Sequence, residues 1–185
     1  MRTSSVGFGD FSGQTFHLSG LDRSGNSLSV VIQQSSTSQV RIVESELDLG
    51  TVFCPQPTPN SSGFSGSIEA SGSLTATENL LLLRAVEIPP NTFGFFFVGT
   101  EAVDTIVSNE RLCVGGNIGR YSSQIQNSGA NSFNEQRISI DVIPGNPGTV
   151  PTPGSTFYFQ YWHRDVNSFG IPMFQFTEAI SLTFQ

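Results

Sequence analysis

The sequence predicts an all-β chain, an antiparallel β-sandwich of jelly-roll or immunoglobulin-like type built from about ten short strands. Three observations carry that expectation. No window of about 11 residues sets apolar side chains at i, i+3, i+4 and i+7 without a Gly or Pro interrupting it. Alternating apolar and polar runs bounded by turn residues recur along the chain, and 19 Gly and 10 Pro punctuate its 185 residues. Sixteen Phe, three Tyr and one Trp, in a chain only 12% charged, supply a core large enough to offset the entropy of ordering.

Taken in order, Thr15 to Ser19 and Leu28 to Gln33 flank the turn-forming run Asp22-Arg23-Ser24-Gly25-Asn26 and read as a hairpin. Val40 to Leu47 is a third strand, in which Val40 and Ile42 alternate with Arg41 before Val43 and Glu44 break the pattern. Ser65 to Ala70, Leu80 to Val86, Phe93 to Val98, Ile118 to Tyr121, Arg137 to Val142, Thr156 to Arg164 and Ala179 to Phe184 follow. Pro55-Gln56-Pro57-Thr58-Pro59 lacks a backbone donor at three positions and belongs at an edge or a connection. Pro144 to Gly154, rich in Pro and Gly, reads as a spacer loop. The composition shifts between Gly50 and Pro59. Residues 1–50 therefore read as an N-terminal arm and strands, either the tail of an upstream domain or docked on the main one. Residues 51–185 read as the sandwich module, and residues 1–14 as a flexible arm.

The eight cations are all Arg, against 15 acids and a net charge of −7. A phosphate-binding surface needs clustered cations, so nucleic acid is not an expected partner. Without Lys, neither a Schiff base nor a Lys–Asn cross-link can form within the chain. No apolar run approaches the roughly 20 residues of a membrane-spanning helix, and membrane insertion is not expected. Met1 to Ser5 has no apolar segment of the signal-peptide kind, which reads either as a cytoplasmic protein or as a mature or excised secreted chain; the low charge and abundant Ser, Thr, Gly and Asn favour the second. Cys54 and Cys113 are the only two cysteines; neither lies in a CxxC and no His is near them in sequence. They are expected to be bridged, the alternative being two buried free thiols, and no zinc site is expected.

From about Val52 onward the chain resembles a C-terminal accessory module of secreted planctomycete-type bacterial proteins. The resemblance is carried by Cys54-Pro55 with Asn60-Ser61-Ser62-Gly63, by Ile88-Pro89-Pro90-Asn91-Thr92-Phe93-Gly94, and by Leu112-Cys113-Val114-Gly115-Gly116 with Ile118-Gly119-Arg120. Asn127-Ser128-Gly129, Pro153-Gly154-Ser155-Thr156, Phe159 to Asp165 and Phe176 to Ala179 continue it. Phe157, His163 and Glu178 depart from the Trp, Tyr and Asp usual there. The resemblance implies secretion and a matched cysteine pair. It implies no catalytic residues, because such modules have no agreed activity.

Period-2 alternation puts Phe157, Phe159, Tyr161 and His163 on one face of their strand and Tyr158, Gln160, Trp162 and Arg164 on the other. The first set reads as core. The second is a candidate glycan-binding stripe, with flat aromatics for pyranose faces and Gln and Arg for hydroxyls. The blander reading buries both faces, with Trp162 over the disulfide or the second sheet and Arg164 paired with Asp165 or Glu178. His163 and Asp165 share a face, but no third ligand or catalytic partner is nameable. Glu44, Glu46 and Asp48 alternate and read as a solvated edge that discourages strand pairing, with Ca²⁺ binding the minor alternative. Gly115 to Arg120 lacks the Lys-Ser/Thr of a phosphate loop and reads as a tight turn, as does Asn60-Ser61-Ser62. No Gly-x-Ser-x-Gly occurs.

These readings lead to a non-catalytic extracellular structural, adhesion or assembly module, without cofactor or metal. Its expected partners are a polysaccharide or cell-surface component, or other copies of itself. Self-association through the arm Met1 to Gln14 adding a strand to a neighbour is one variant. The alternative is a carbohydrate-binding module of a secreted polysaccharide-active protein.

Overall fold

The computed structural model describes residues 15–21, 27–34, 40–47, 49–54 and 57–185. Contacts divide the chain into two units, Met1–Leu47 and Asp48–Gln185. The first is an antiparallel meander of β1 (Thr15–Leu21), β2 (Ser27–Gln34) and β3 (Val40–Leu47). Its register sets His17 opposite Val31 and Val30 opposite Glu44. The arm of residues 1–14, the turn at 22–26 and Asp48 lie outside the described residues, as do the side chains of His17, Glu44 and Glu46.

The second unit is all-β. One of its layers is β5 (Ser67–Gly72), β6 (Leu81–Val86) and β12 (Asn134–Ile138), paired in that order. Along β6, Leu81, Leu83 and Ala85 are fully buried while the residues between them are half-buried, the alternation expected of a strand with one face on the core. The facing layer is built on β7 (Phe93–Gly99), β13 (Thr156–Val166) and β14 (Pro172–Thr183). β10 (Gly119–Arg120) and β11 (Gln126–Asn127) pair with the outer edge of β7, and β4 (Thr51–Phe53) closes the other side on β14. Every one of these pairings is antiparallel. Between the layers, Ile68, Leu83 and Ile138 meet Phe96, Phe159, Tyr161 and Leu182 in one continuous core. The fold is the antiparallel sandwich that the alternation predicts.

Phe95-Phe96-Phe97-Val98 needs burial on two sides, because such a run has no polar face. Phe96 and Val98 enter the inter-layer core, while Phe95 and Phe97 join a second apolar cluster on the outside of the same sheet. Gly94 has no room for a side chain, since a Cβ there would overlap the Tyr161 ring and the Trp162 carbonyl.

The outer cluster exists because of a feature that the sequence reading did not contain. β8 (Glu101–Val107) and β9 (Glu110–Gly115) form a hairpin whose residues pack against the outer face of β7, β13 and β14. Its two-residue turn, Ser108-Asn109, has both φ angles positive, at 52° and 72°, the geometry that suits the twist of a tight hairpin.

Strand ends also move. The expected strand Arg137 to Val142 ends at Ile138 in β12, and Ile118 to Tyr121 contracts to β10. The expected strand Ala179 to Phe184 begins far earlier, at Pro172. A bulge is the reason. Gln160 pairs with Ala179 and Trp162 with Phe176, so two residues of β14, Thr177 and Glu178, oppose the single Tyr161. The extra residue reverses the parity of β14, which erases the alternation that would mark one long strand.

Candidate functional site

The sulfurs of Cys54 and Cys113 are bonded, with Cα atoms 6.0 Å apart, and no free cysteine is present among the described residues. The bridge ties β9 to the segment just after β4. Cys113 lies opposite a second bulge, where the β8–β9 register shifts between Ala102 and Thr105. Its backbone N–H donates instead to Gln160 Oε1 at 3.1 Å. The same amide donates through Nε2 to the carbonyls of Arg111 (3.1 Å) and Thr177 (2.8 Å). Gln160 is fully buried and all of these contacts are with backbone.

That arrangement interrupts the candidate stripe of Tyr158, Gln160, Trp162 and Arg164 and, at Gln160, agrees with the blander reading that buries both faces. The four do share a face by register, but the β8–β9 hairpin covers its middle. Gln160 is a bracket between sheet and hairpin, so its amide is not offered to solvent. Tyr158 is half-buried and meets Phe53 edge-on, with ring centroids 5.5 Å apart. Arg164 is exposed, and among the described residues it has no ion pair with Asp165 or Glu178. It lines a separate open groove with Phe93, Pro89, Val166 and Pro172.

Trp162 stays at the hairpin's margin, and here the outer face opens into a concavity of about 300 Å³. Five aromatic rings line it: Phe95, Phe97, Trp162, Phe174 and Phe176. Val107 and Leu112 of the hairpin, Ile118 and Arg120 complete the wall. Phe95 lies 5.1 Å from Trp162, which stacks at 6.3 Å and 28° on Phe174. Phe174 and Phe176 meet edge-on at 5.6 Å. These spacings fall in the attractive range for aromatic pairs, so the rings brace one another in an open, preformed hollow. Arg120 is exposed at its rim and has no acidic partner among the described residues. None of the five rings except Trp162 was a candidate from sequence, because nothing in the primary pattern says which face of β7 or β14 the hairpin leaves open.

The polar residues that invite a chemical reading are buried in structural roles. His163 is 1% exposed, and burial lowers its pKa against the opposing influence of the Arg164 carbonyl and the Asp165 charge. A carbonyl only accepts, so the contact of Nδ1 with Arg164 O at 3.1 Å makes Nδ1 the protonated nitrogen. Asp165 accepts the N–H of Ser61 at 2.9 Å through Oδ2 and that of Val166 at 2.8 Å through Oδ1. It thereby anchors the turn at Asn60-Ser61-Ser62, where Ser62 N–H also donates to Asn60 Oδ1. Among the described residues no group of three or more His, Cys, Asp or Glu is placed to hold a metal ion. No helix among them is long and apolar enough to cross a membrane.

Glu110, at the start of β9, is 2% exposed and is a site that sequence reasoning missed. Burial pushes its carboxyl up to about 7; a hydrogen bond with Gln175 works against the rise and the nearby Asp165 charge adds to it. The folded chain thus holds this proton more tightly than the unfolded chain, whose carboxyl titrates near 4.5. Its contribution to stability is full at low pH and disappears as the pH rises through about 7. His163, with its folded value lowered below 6.5, has the opposite sign and loses stability as the pH falls. The two oppose each other in one window, so wild-type stability alone is uninformative. Urea midpoints of wild type and Glu110→Gln at about pH 5, 6, 7 and 8 separate them. Wild type is expected to lose ground against the variant from about pH 5 to about 7 and to level off by about pH 8; parallel curves throughout would mean that Glu110 ionises freely in the fold.

Comparison of the chain with protein families, with curated proteins and with solved structures finds no match.

Proposed function

We propose that this chain is a non-catalytic extracellular module with a structural, adhesive or assembly role, and that it makes its contacts through the aromatic groove beside the β8–β9 hairpin. The observation that carries the reading is the groove's chemistry: five aromatic rings and three aliphatic side chains, with Arg120 as the one charged group in its wall. A site of this kind gains affinity from apolar contact and uses a single polar group to orient its guest. No carboxylate, imidazole or thiol lies in the wall to assist bond breaking. The Cys54–Cys113 bridge supports an oxidising location, where such bonds persist. The resemblance to accessory modules of secreted proteins belongs to the same reading.

A carbohydrate-binding role is the second reading, and Trp162 in the groove wall is the observation in its favour. It is weaker, because Gln160 is committed to backbone partners and a pyranose would meet few hydrogen-bonding groups beside Arg120.

Trp162 is the only tryptophan, so its fluorescence reports the groove directly. The dye anilinonaphthalene sulfonate, apolar with one anionic group, is expected to bind the native protein saturably and to change Trp162 emission. Ile118→Glu, which puts a charge on a residue 39% exposed at the rim, is expected to weaken that binding tenfold or more without lowering the urea midpoint. Native protein that leaves the dye free would overturn the reading. Saturable binding to one insoluble polysaccharide, abolished by Trp162→Ala in a folded protein, would favour the carbohydrate reading instead.

A further inference from the structure

Phe169 is 86% exposed, more than any other large apolar side chain among the described residues. It is not at a loose end. The turn between β13 and β14 is closed by Asn167, whose side-chain Oδ1 accepts the N–H of Phe169 at 2.9 Å and of Ile171 at 3.0 Å. The Asn167 backbone closes it again, accepting from Gly170 at 2.9 Å and donating to Ile171 at 3.0 Å. Gly170 supplies the positive φ of 74° that the turn requires. None of these bonds involves the ring. The chain therefore holds an aromatic knob out in water on a fixed turn, flanked by Ile171 (58% exposed) and Val166 (44%).

The same unit carries a hollow suited to it. We propose that the aromatic groove takes the Phe169 knob of a second copy of this chain. The inference rests on the groove being a binding site, and it names the guest. A wall of aromatic rings offers stacked and edge-on partners to one more ring. A guest already fixed in its turn loses little freedom on docking. Arg120 at the rim can donate to the turn carbonyls of Ser168 and Phe169, which have no backbone partner among the described residues, or lie over the incoming ring. Because knob and groove are different surfaces of one chain, each contact leaves a further knob and groove free unless two copies exchange knobs reciprocally. One ring buries little area beside a standard interface, so the contact is weak, with a dissociation constant on the order of 0.1–1 mM. Tandem or surface-tethered copies would strengthen it through effective concentration.

Sedimentation velocity on the full chain from about 10 µM to about 1 mM tests this. The weight-average mass of wild type is expected to rise with concentration. Phe169→Ser, with an unchanged urea midpoint because the turn bonds remain, is expected to lower the association constant at least tenfold. Ile118→Glu should do the same from the groove side. Mixing the two variants should restore association, since one keeps the groove and the other the knob. A wild type that stays monomeric, or that associates equally well as Phe169→Ser, overturns the proposal. If the dye still binds the groove in that case, the groove reading survives and only its guest is wrong. If the dye does not bind either, the binding site itself is refuted.

Discussion

Serine at both Cys54 and Cys113 is expected to lower the free energy of unfolding by about 4 kcal/mol, the largest effect of any substitution considered for this chain. The two cysteines are 59 residues apart, so the bridge removes a long loop from the unfolded ensemble. In the chain-entropy account the gain grows with the logarithm of that length and reaches about 4 kcal/mol here. Cys113 is 1% exposed and touches the outer apolar cluster, so the loss of its packing adds to the same sign. The loss is local as well as global. The bridge is the covalent tie between β9 and the main sheet, and β9 is one wall of the groove. Trp162 emission should therefore move toward that of a wetter environment at urea concentrations below the main transition. Urea titrations followed by circular dichroism and by Trp162 fluorescence give both readings, and a midpoint within about 0.5 kcal/mol of wild type would contradict them. Alkylation supplies an independent check: no thiol of the native chain should react until reductant is added.

How much of this was legible in the sequence depends on whether the deciding contact is local. Period 2 in Thr156 to Arg164 placed Phe157, Phe159, Tyr161 and His163 on the core face, and all four are buried there. Leu80 to Val86 was legible as a strand but not by face, because Leu80 to Leu83 is an unbroken apolar run and only the folded sheet shows that Leu81, Leu83 and Ala85 point to the core. The β8–β9 hairpin was not. Glu101 to Val107 is largely exposed, so it lacks the apolar alternation that advertises a half-buried strand, and Ser108-Asn109 is a weaker turn signal than Asn-Gly. Missing that hairpin had one consequence for the site. With β13 alone, Gln160 belongs to a solvent-facing stripe; with β9 above it, Gln160 is interior. The long strand β14 was hidden for a different reason, since the bulge opposite Tyr161 reverses its parity midway. Burial on both faces explains the unbroken Phe95-Phe96-Phe97-Val98 run, but only the folded sheet says that Phe95 and Phe97 line a hollow. Phe169 was unreadable in the opposite sense: an aromatic side chain in sequence suggests core, and only the Asn167-closed turn shows it pointing to water.

Gln160→Leu is expected to destabilise the fold by about 3 kcal/mol, although it swaps one buried side chain for another of similar size and greater apolarity. The reason is what remains behind. In wild type one amide satisfies the N–H of Cys113 and the carbonyls of Arg111 and Thr177. Leucine leaves the Cys113 N–H and the Thr177 carbonyl buried without this partner, and the Arg111 carbonyl part-buried without it, at about 1–3 kcal/mol for each group that finds no substitute, and its own burial offsets part of that total. The Cys113 donor is the most exposed to this loss, because the β8 bulge opposite it removes the strand partner that would otherwise be available. Gln160→Glu separates shape from hydrogen bonding. A carboxylate can accept from Cys113 but repels the two carbonyls, so this variant should recover stability as the pH falls and the carboxyl takes up a proton to donate. Hydrogen exchange at Cys113 is the direct readout, and Gln160→Leu should accelerate it well before global unfolding. The bridge and the Gln160 bracket hold the same strand, so their effects should not add: Gln160→Leu should be less damaging once the disulfide is gone. Strict additivity would mean that the hairpin rests on its apolar contacts alone. The groove would then owe its shape to the rings of β7, β13 and β14, with β9 a replaceable cover.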